Sequence, residues 1–150
     1  MVNDDLILFG DGRDAYDLTM ARYVADSIMH HCMLHEVEEV CGVLIRNNRK
    51  IIDLVWVPNR AANPRHEFEI HAADVAHLRT ETILGPFHSH PTGKKPLVSY
   101  WDVFRVPLGD TGLMYHPRTA TLVRYSRRGW INQYHLPTLL WGGVVERSTE

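Results

Sequence analysis

The chain has 150 residues and a formal net charge of −2, with 45% hydrophobic and 23% charged residues; this is the composition of one ordinary globular domain. The small negative charge argues against a nucleic-acid-binding protein, because such binding depends on clustered positive charge. Two cysteines are too few for a disulfide scaffold, and no apolar run reaches the length of a signal-peptide core or a membrane span. We therefore expect a cytoplasmic protein with no membrane partner.

The N-terminal third predicts a strand followed by a helix. Residues 6–9 form a short apolar run, and the turn after it leads to Asp17, a suitable helix N-cap. Apolar residues then recur at three- and four-residue steps, which is the pattern of one helix face. The members of this face are Leu18, Ala21, Ala25, Ile28 and Cys32.

The rest of the chain predicts a mixed α/β domain over residues 1–136, with residues 137–150 as a tail. Residues 40–45 read as a strand buried on both faces, and residues 51–57 as its hairpin partner. The further predicted elements are a short strand at 68–70, a helix at 74–80, a long strand at 82–90, and strands at 112–115, 120–125 and 130–135.

Two histidines on the long strand suggest a metal site. Side chains alternate along a strand, so His88 and His90 share a face with Cα atoms about 6.6 Å apart and can bind one ion. Asp102 is the nearest third ligand, because a polar loop lets the chain fold back into a helix starting at Ser99. Two His and one Asp leave zinc an open position for an acidified water. Glu39, a carboxylate entering an apolar strand, is the candidate base for that water.

Three segments together resemble the signature of the JAMM (MPN+) metallopeptidases. They are Glu39-Val40-Cys41-Gly42, His88-Ser89-His90-Pro91 and Ser99-Tyr100-Trp101-Asp102. The resemblance runs from the first helix to about residue 135. It implies a single MPN domain, with a twisted mixed β-sheet flanked by helices and a fold similar to that of cytidine deaminases.

The resemblance also implies a zinc-dependent peptidase. His88, His90 and Asp102 would hold Zn²⁺, Glu39 would act as general acid and base, and Ser99 would stabilise the tetrahedral intermediate. The implied substrate is a protein or peptide cut at an amide or isopeptide bond, often beyond the C-terminal Gly of a ubiquitin-like protein.

Two features distinguish the chain within that family. The loop from His90 to Ser99 is one residue longer than expected, and bulky residues surround the serine. The chain has no room for the long insertions of eukaryotic deubiquitinases. It therefore looks closer to compact bacterial or phage members, which include sulfur-carrier-processing and phage tail-assembly peptidases. The competing function is a non-catalytic MPN scaffold for protein assembly, and the sequence does not give the oligomeric state.

Other motifs have simpler interpretations. Cys41 lies in an apolar run, where a buried, protonated thiol is more ordinary than a nucleophile. His31 and His35 have i, i+4 spacing but lack the glutamate of a zincin helix, so we expect an exposed helix end. No Cys-x-x-Cys follows the histidines, as a deaminase would require.

Three more patterns leave alternatives open. Ser99 and Asp102 also have the spacing of a helix capping box, which can coexist with a metal site. Arg124 and the arginines at 127 and 128 suggest a charged hairpin turn rather than a nucleic-acid surface. The Gly-Gly pair at 142–143 reads as a flexible turn rather than a self-processing site.

Overall fold

A computed structural model describes residues 5–8, 18–99, 109, 111–126 and 131–142. Its strands are β1 (Asp5–Leu8), β2 (Leu18–Ala21), β3 (Cys41–Asn47), β4 (Lys50–Val57), β5 (Ile83–Ser89), β6 (Thr111–His116), β7 (Thr121–Ser126) and β8 (Ile131–His135). The α-helices in this part of the chain are α1 (Arg22–Leu34), α2 (Ala72–Val75) and α3 (Leu136–Gly142), and a 3₁₀ turn at Thr80–Thr82 leads into β5.

The eight strands form one mixed sheet in the order β1-β2-β4-β3-β5-β6-β7-β8. β2 pairs in parallel with β4, and β5 in parallel with β6, whereas the remaining neighbours are antiparallel. Parallel neighbours need crossover connections; α1 lies in the first, and the segment after His90 forms the second. This sheet with helices against it confirms the predicted α/β fold class.

The main core lies between α1, α3 and one face of the sheet. The inner face of α1 buries Val24, Ala25, Ile28 and Cys32. Phe87 of β5 and Leu113 of β6 belong to the same cluster. Because side chains alternate across a strand, His88 projects from the opposite face of the sheet, away from α1. A smaller apolar cluster of Met114, Val123 and Tyr125 lies on that second face.

The predicted start of the first helix is wrong. Residues Leu18–Ala21 form β2, and the helix begins only at Arg22; Asp17 itself lies outside the described residues. Leu18 and Met20 are both buried, a two-residue period that satisfies a strand, and β2 gains hydrogen bonds from both β1 and β4. The later part of the predicted helix face does line the core.

Two predicted elements between β4 and β5 are also wrong. Residues 68–70 form no strand: the Oδ1 of Asn59 accepts the Glu69 N–H at 3.0 Å and holds the segment as irregular chain. The helix predicted at 74–80 is limited to the four residues of α2. A turn follows it, with the Leu78 N–H bonded to the Val75 carbonyl.

The described part of the predicted tail packs on the domain. Leu139 of α3 is fully buried in the main core, whereas Trp141 is 93% exposed. Residues 143–150 lie outside the described residues. Across the described ranges, no helix combines the length and apolar character needed to cross a membrane.

Candidate metal centre

Three buried side chains converge on the sheet face opposite α1. They are Glu39, His88 and His90, exposed by 1%, 0% and 2%. One carboxylate oxygen of Glu39 and one ring nitrogen of each histidine lie within 4.8 Å of one another. No other group of three such residues was found in the part of the chain that the structure describes.

Strand pairing explains this convergence. β3 and β5 are antiparallel, with Cys41 opposite His88, and the pairing continues beyond the two strand ends. The Ser89 N–H donates to the Val40 carbonyl at 2.9 Å, and the Ser89 hydroxyl oxygen accepts the Val40 N–H at 2.9 Å. The continued register places Glu39 beside His90, although 51 positions of sequence separate them.

The two imidazoles are oriented for a shared ligand. Their Nε2 atoms are 3.3 Å apart. Nδ1 of His90 is 2.8 Å from the Lys95 carbonyl oxygen; since a carbonyl only accepts, this nitrogen carries the proton and Nε2 of His90 presents a lone pair. Such a hydrogen bond on the far nitrogen is the usual way in which a protein fixes the tautomer of a metal-binding histidine.

The residues present fit zinc. Tetrahedral ligands with Zn–N distances of about 2.0–2.1 Å place two nitrogens about 3.3 Å apart, which is the separation found here. In addition, Oε1 of Glu39 is buried and has no hydrogen-bond partner among the described residues. Buried polar atoms are rarely left so, and a cation or polarised water in the pocket would satisfy it.

The ring of His88 is held by two aromatic neighbours. Phe68 stacks on it with ring centroids 4.3 Å apart and 14° between the planes. The Tyr125 hydroxyl lies 3.4 Å from Nδ1 of His88, a long hydrogen bond. Tyr125 reaches this position by crossing directly over Gly112, where an added Cβ would lie 2.4 Å from the ring.

A side-chain amide holds the backbone of Glu39. The Nδ2 of Asn59 donates to the Glu39 carbonyl at 2.8 Å and to the Glu67 carbonyl at 3.0 Å. The Glu39 N–H donates to the Pro64 carbonyl at 2.8 Å. These bonds place the carboxylate on an anchored main chain. The sequence reasoning missed Asn59, because its partners are known only once the loop after β4 is folded.

Lys94 contacts the carboxylate itself. Its Nζ forms an ion pair with Oε2 of Glu39 and donates to the His66 carbonyl at 2.9 Å. Its own carbonyl oxygen accepts from Nε2 of His116 at 2.7 Å. Burial is the main cause that lowers the pKa of His116 below its ordinary value of 6.5, which agrees with a neutral ring whose Nδ1 accepts the Thr119 N–H at 3.3 Å.

A surface cleft of about 580 Å³ leads to this lysine. Its walls come from the segment between α1 and β3, the irregular chain before α2, and the loop after His90. The lining residues are Glu36, Val37, Arg65, His66, Pro91, Thr92, Gly93 and Lys94. Lys94 therefore contacts both the cleft and the carboxylate of Glu39, whereas Glu39 itself is not among the lining residues.

The two other predicted site residues are Ser99 and Asp102. Ser99 is described and exposed, and the predicted ligand Asp102 lies outside the described residues. Val98 packs on the cluster that contains Tyr125, the residue whose hydroxyl faces His88.

The other sequence motifs are not members of this cluster. Burial raises the pKa of Cys41 to about 12, so the thiol stays protonated as expected. His31 stacks on Trp56 with ring centroids 4.0 Å apart and joins no metal cluster among the described residues. Arg124 is 2% exposed within β7, as the strand predicted at 120–125 requires, and the arginines at 127 and 128 lie outside the described residues.

Two solved structures share this fold. The solution structure of a protein from Desulfitobacterium hafniense is similar with a TM-score of 0.56 at 17% identity, covering 84% of this chain and 90% of that one. The crystal structure of a JAB1/MPN domain protein from Archaeoglobus fulgidus is similar with a TM-score of 0.51 at 16% identity, covering 85% and 98%. The fold is therefore that of a JAB1/MPN domain.

The family follows from the sequence match. A model described as prokaryotic homologs of the JAB domain matches residues 21–96, about half of the chain. The chain belongs to this family, as the three-segment resemblance predicted. The matched region contains Glu39, His88 and His90 and ends before Ser99. Among curated proteins no match was found.

Proposed function

We propose that this JAB-family protein is a zinc-dependent hydrolase that cuts a peptide or isopeptide bond. The observation that carries the proposal is the convergence of buried Glu39, His88 and His90 within 4.8 Å. Burying a carboxylate and two imidazoles together is costly without a compensating ion. Strand pairing brings the three residues together, and a bound cation would offset the cost of burying them.

Each residue has a separate role. His88, His90 and Asp102 would hold the zinc ion, which supplies an acidified water and a Lewis acid for the scissile carbonyl. Glu39 accepts the proton of the attacking water and returns it to the leaving amine. The Ser99 hydroxyl donates a hydrogen bond to the oxyanion. The roles of Ser99 and Asp102 come from the family resemblance.

The proposed substrate is a protein or peptide. The cleft is open to solvent and is lined by Lys94, the residue that pairs with Glu39, so it suits an extended chain better than an enclosed small molecule. A bond next to the C-terminal Gly of a ubiquitin-like or sulfur-carrier protein is the substrate that the family resemblance favours. The cytoplasmic location and a role in phage tail assembly stay predictions.

A matched pair of variants tests the proposal. Glu39→Gln removes the proposed base, whereas Glu38→Gln makes the same change at the neighbouring exposed residue. Zinc-loaded proteins are incubated with a peptide mixture that includes Gly–Lys isopeptides, and new termini are identified by mass spectrometry. We expect cleavage by the wild type and Glu38→Gln, and a loss of about 100-fold or more in Glu39→Gln. Equal cleavage by all three proteins would contradict the assignment.

The alternative function is a non-catalytic scaffold. One observation favours it: the family match ends at residue 96, before the third proposed ligand. A scaffold would bind its partner equally well as wild type and as Glu39→Gln, and would hold no stoichiometric zinc. Zinc content measured by plasma mass spectrometry, together with the cleavage assay, separates the two functions.

A further inference from the structure

Among the described residues, only one of the two oxygens of the buried Glu39 carboxylate has a partner. Its side chain has no exposed surface, Oε1 has no hydrogen-bond partner among the described residues, and Oε2 is paired with Lys94. An unpaired carboxylate at such a depth is strongly unfavourable. The ammonium group of Lys94 is therefore the contact that determines how this carboxylate is held.

Lys94 is itself fixed by the fold. Its side chain is only 31% exposed, and its ammonium group also donates to the His66 carbonyl across the cleft. The backbone of the loop is held by two imidazoles, since His116 donates to the Lys94 carbonyl and His90 to the Lys95 carbonyl. A lysine on a free loop would sample many rotamers, whereas this one is anchored at both ends.

His90 connects the histidine pair with the loop that carries Lys94. The same ring that offers Nε2 toward His88 uses Nδ1 to hold the carbonyl next to Lys94. The loop thus sets the position of the Glu39 carboxylate and of the His90 ring together. Side-chain positions at catalytic sites are commonly secured by such neighbours.

We propose that Lys94 is a positioning residue: its ammonium group holds Oε2 of Glu39, so that Oε1 remains free to exchange a proton with the attacking water. The catalytic part of this inference rests on the proposed function, whereas the holding of Glu39 rests on the contacts of Lys94. Nothing in the sequence signature of the family segments singles out this lysine.

A double-mutant cycle tests the contact without any substrate. The full-length wild type, Lys94→Met, Glu39→Gln and the double variant are melted after dialysis against a chelator. Removing one partner of a largely buried pair should lower Tm by about 4–8 °C in Lys94→Met. In the Glu39→Gln background the same substitution should change Tm by less than about 2 °C. Lys95→Met, in which only an exposed side chain changes, is the matched control. Additive shifts would overturn the proposal.

The kinetic arm tests positioning on a peptide that the wild type cleaves. Lys94→Met should lower kcat by about 10- to 100-fold with KM within about twofold, because a displaced base weakens the chemical step more than binding. Lys94→Arg should recover part of the loss. Lys50→Met, which breaks a partly exposed ion pair with Asp5 far from the cluster in sequence, should match the wild type. A Lys94→Met enzyme with wild-type kcat would overturn the proposal.

The melting cycle and the cleavage assay distinguish a failure of the inference about Lys94 from a failure of the proposed function. If zinc-loaded wild type cleaves nothing, the proposed function fails, and the melting cycle alone decides whether Lys94 holds Glu39. If cleavage depends on Glu39 but the cycle is additive, the proposed function stands and the inference about Lys94 is wrong.

Discussion

Replacing Gly112 with alanine should disturb the histidine pair from a distance. Gly112 of β6 lies opposite Tyr125 of β7, and the tyrosine ring covers it so closely that an added Cβ would stand 2.4 Å from Cζ and 2.6 Å from the hydroxyl oxygen. The ring must move by about 1 Å to reach the nearest ordinary contact distance. This movement carries the hydroxyl away from Nδ1 of His88.

The size of the effect follows from that displacement. Overpacking of a buried site costs about 1–3 kcal/mol, and in a chain of this length about 2 kcal/mol lowers Tm by about 4–8 °C. Loss of a hydrogen bond behind a metal-binding histidine typically weakens metal binding by about 10- to 100-fold. Because the bond from Tyr125 to His88 is long at 3.4 Å, we expect about tenfold. Calorimetric melting and zinc titration measure the two quantities.

Tyr125→Phe distinguishes the effect of overpacking at residue 112 from the effect of losing the hydrogen bond to His88. It keeps the ring over Gly112, so it should reproduce the weaker zinc binding with a smaller fall in Tm. The reasoning is refuted if Gly112→Ala binds zinc as the wild type does while its Tm falls, because the tyrosine would then not orient His88.

Three other outcomes are expected. Burial raises the pKa of each cysteine thiol to about 12, so iodoacetamide should label the native protein only as fast as it opens, as mass spectrometry would show. Burial, then the nearby His35, lowers the pKa of His31 from 6.5; the unfolded chain therefore binds this proton more tightly, and the free energy of unfolding falls as pH drops below 6.5. Urea titrations should show a weaker pH dependence in His31→Gln. His116→Asn removes the bond to the Lys94 carbonyl, so amide exchange in this loop should become about tenfold faster; unchanged exchange would contradict the anchoring role.

The sequence was sufficient for the part of the site that depends on strand geometry. His88 and His90 share a face because they are two residues apart on a strand, and local periodicity shows this. Glu39 was predicted from the conflict between a carboxylate and an apolar run. Its position beside His90 then followed from the pairing of β3 with β5.

Contacts between distant segments could not be predicted. Lys94 and Glu39 are 55 residues apart, and a lysine in a polar loop is an ordinary surface residue until the loop folds. Phe68 was assigned to a strand, but its role is to stack on His88. The apolar residues from Leu18 onward fit both a helix and a strand period, and the neighbours β1 and β4 decided between them.

The most direct measurement is a zinc titration of the metal-free full-length protein by calorimetry. The wild type should bind one zinc ion per chain, and His88→Ala and His90→Ala should each weaken binding by about 100-fold or more. Asp102→Asn should also bind more weakly, and His77→Ala, at an exposed histidine, should bind as the wild type does. A wild type that binds no zinc, or zinc binding that survives loss of both His88 and His90, would contradict the account.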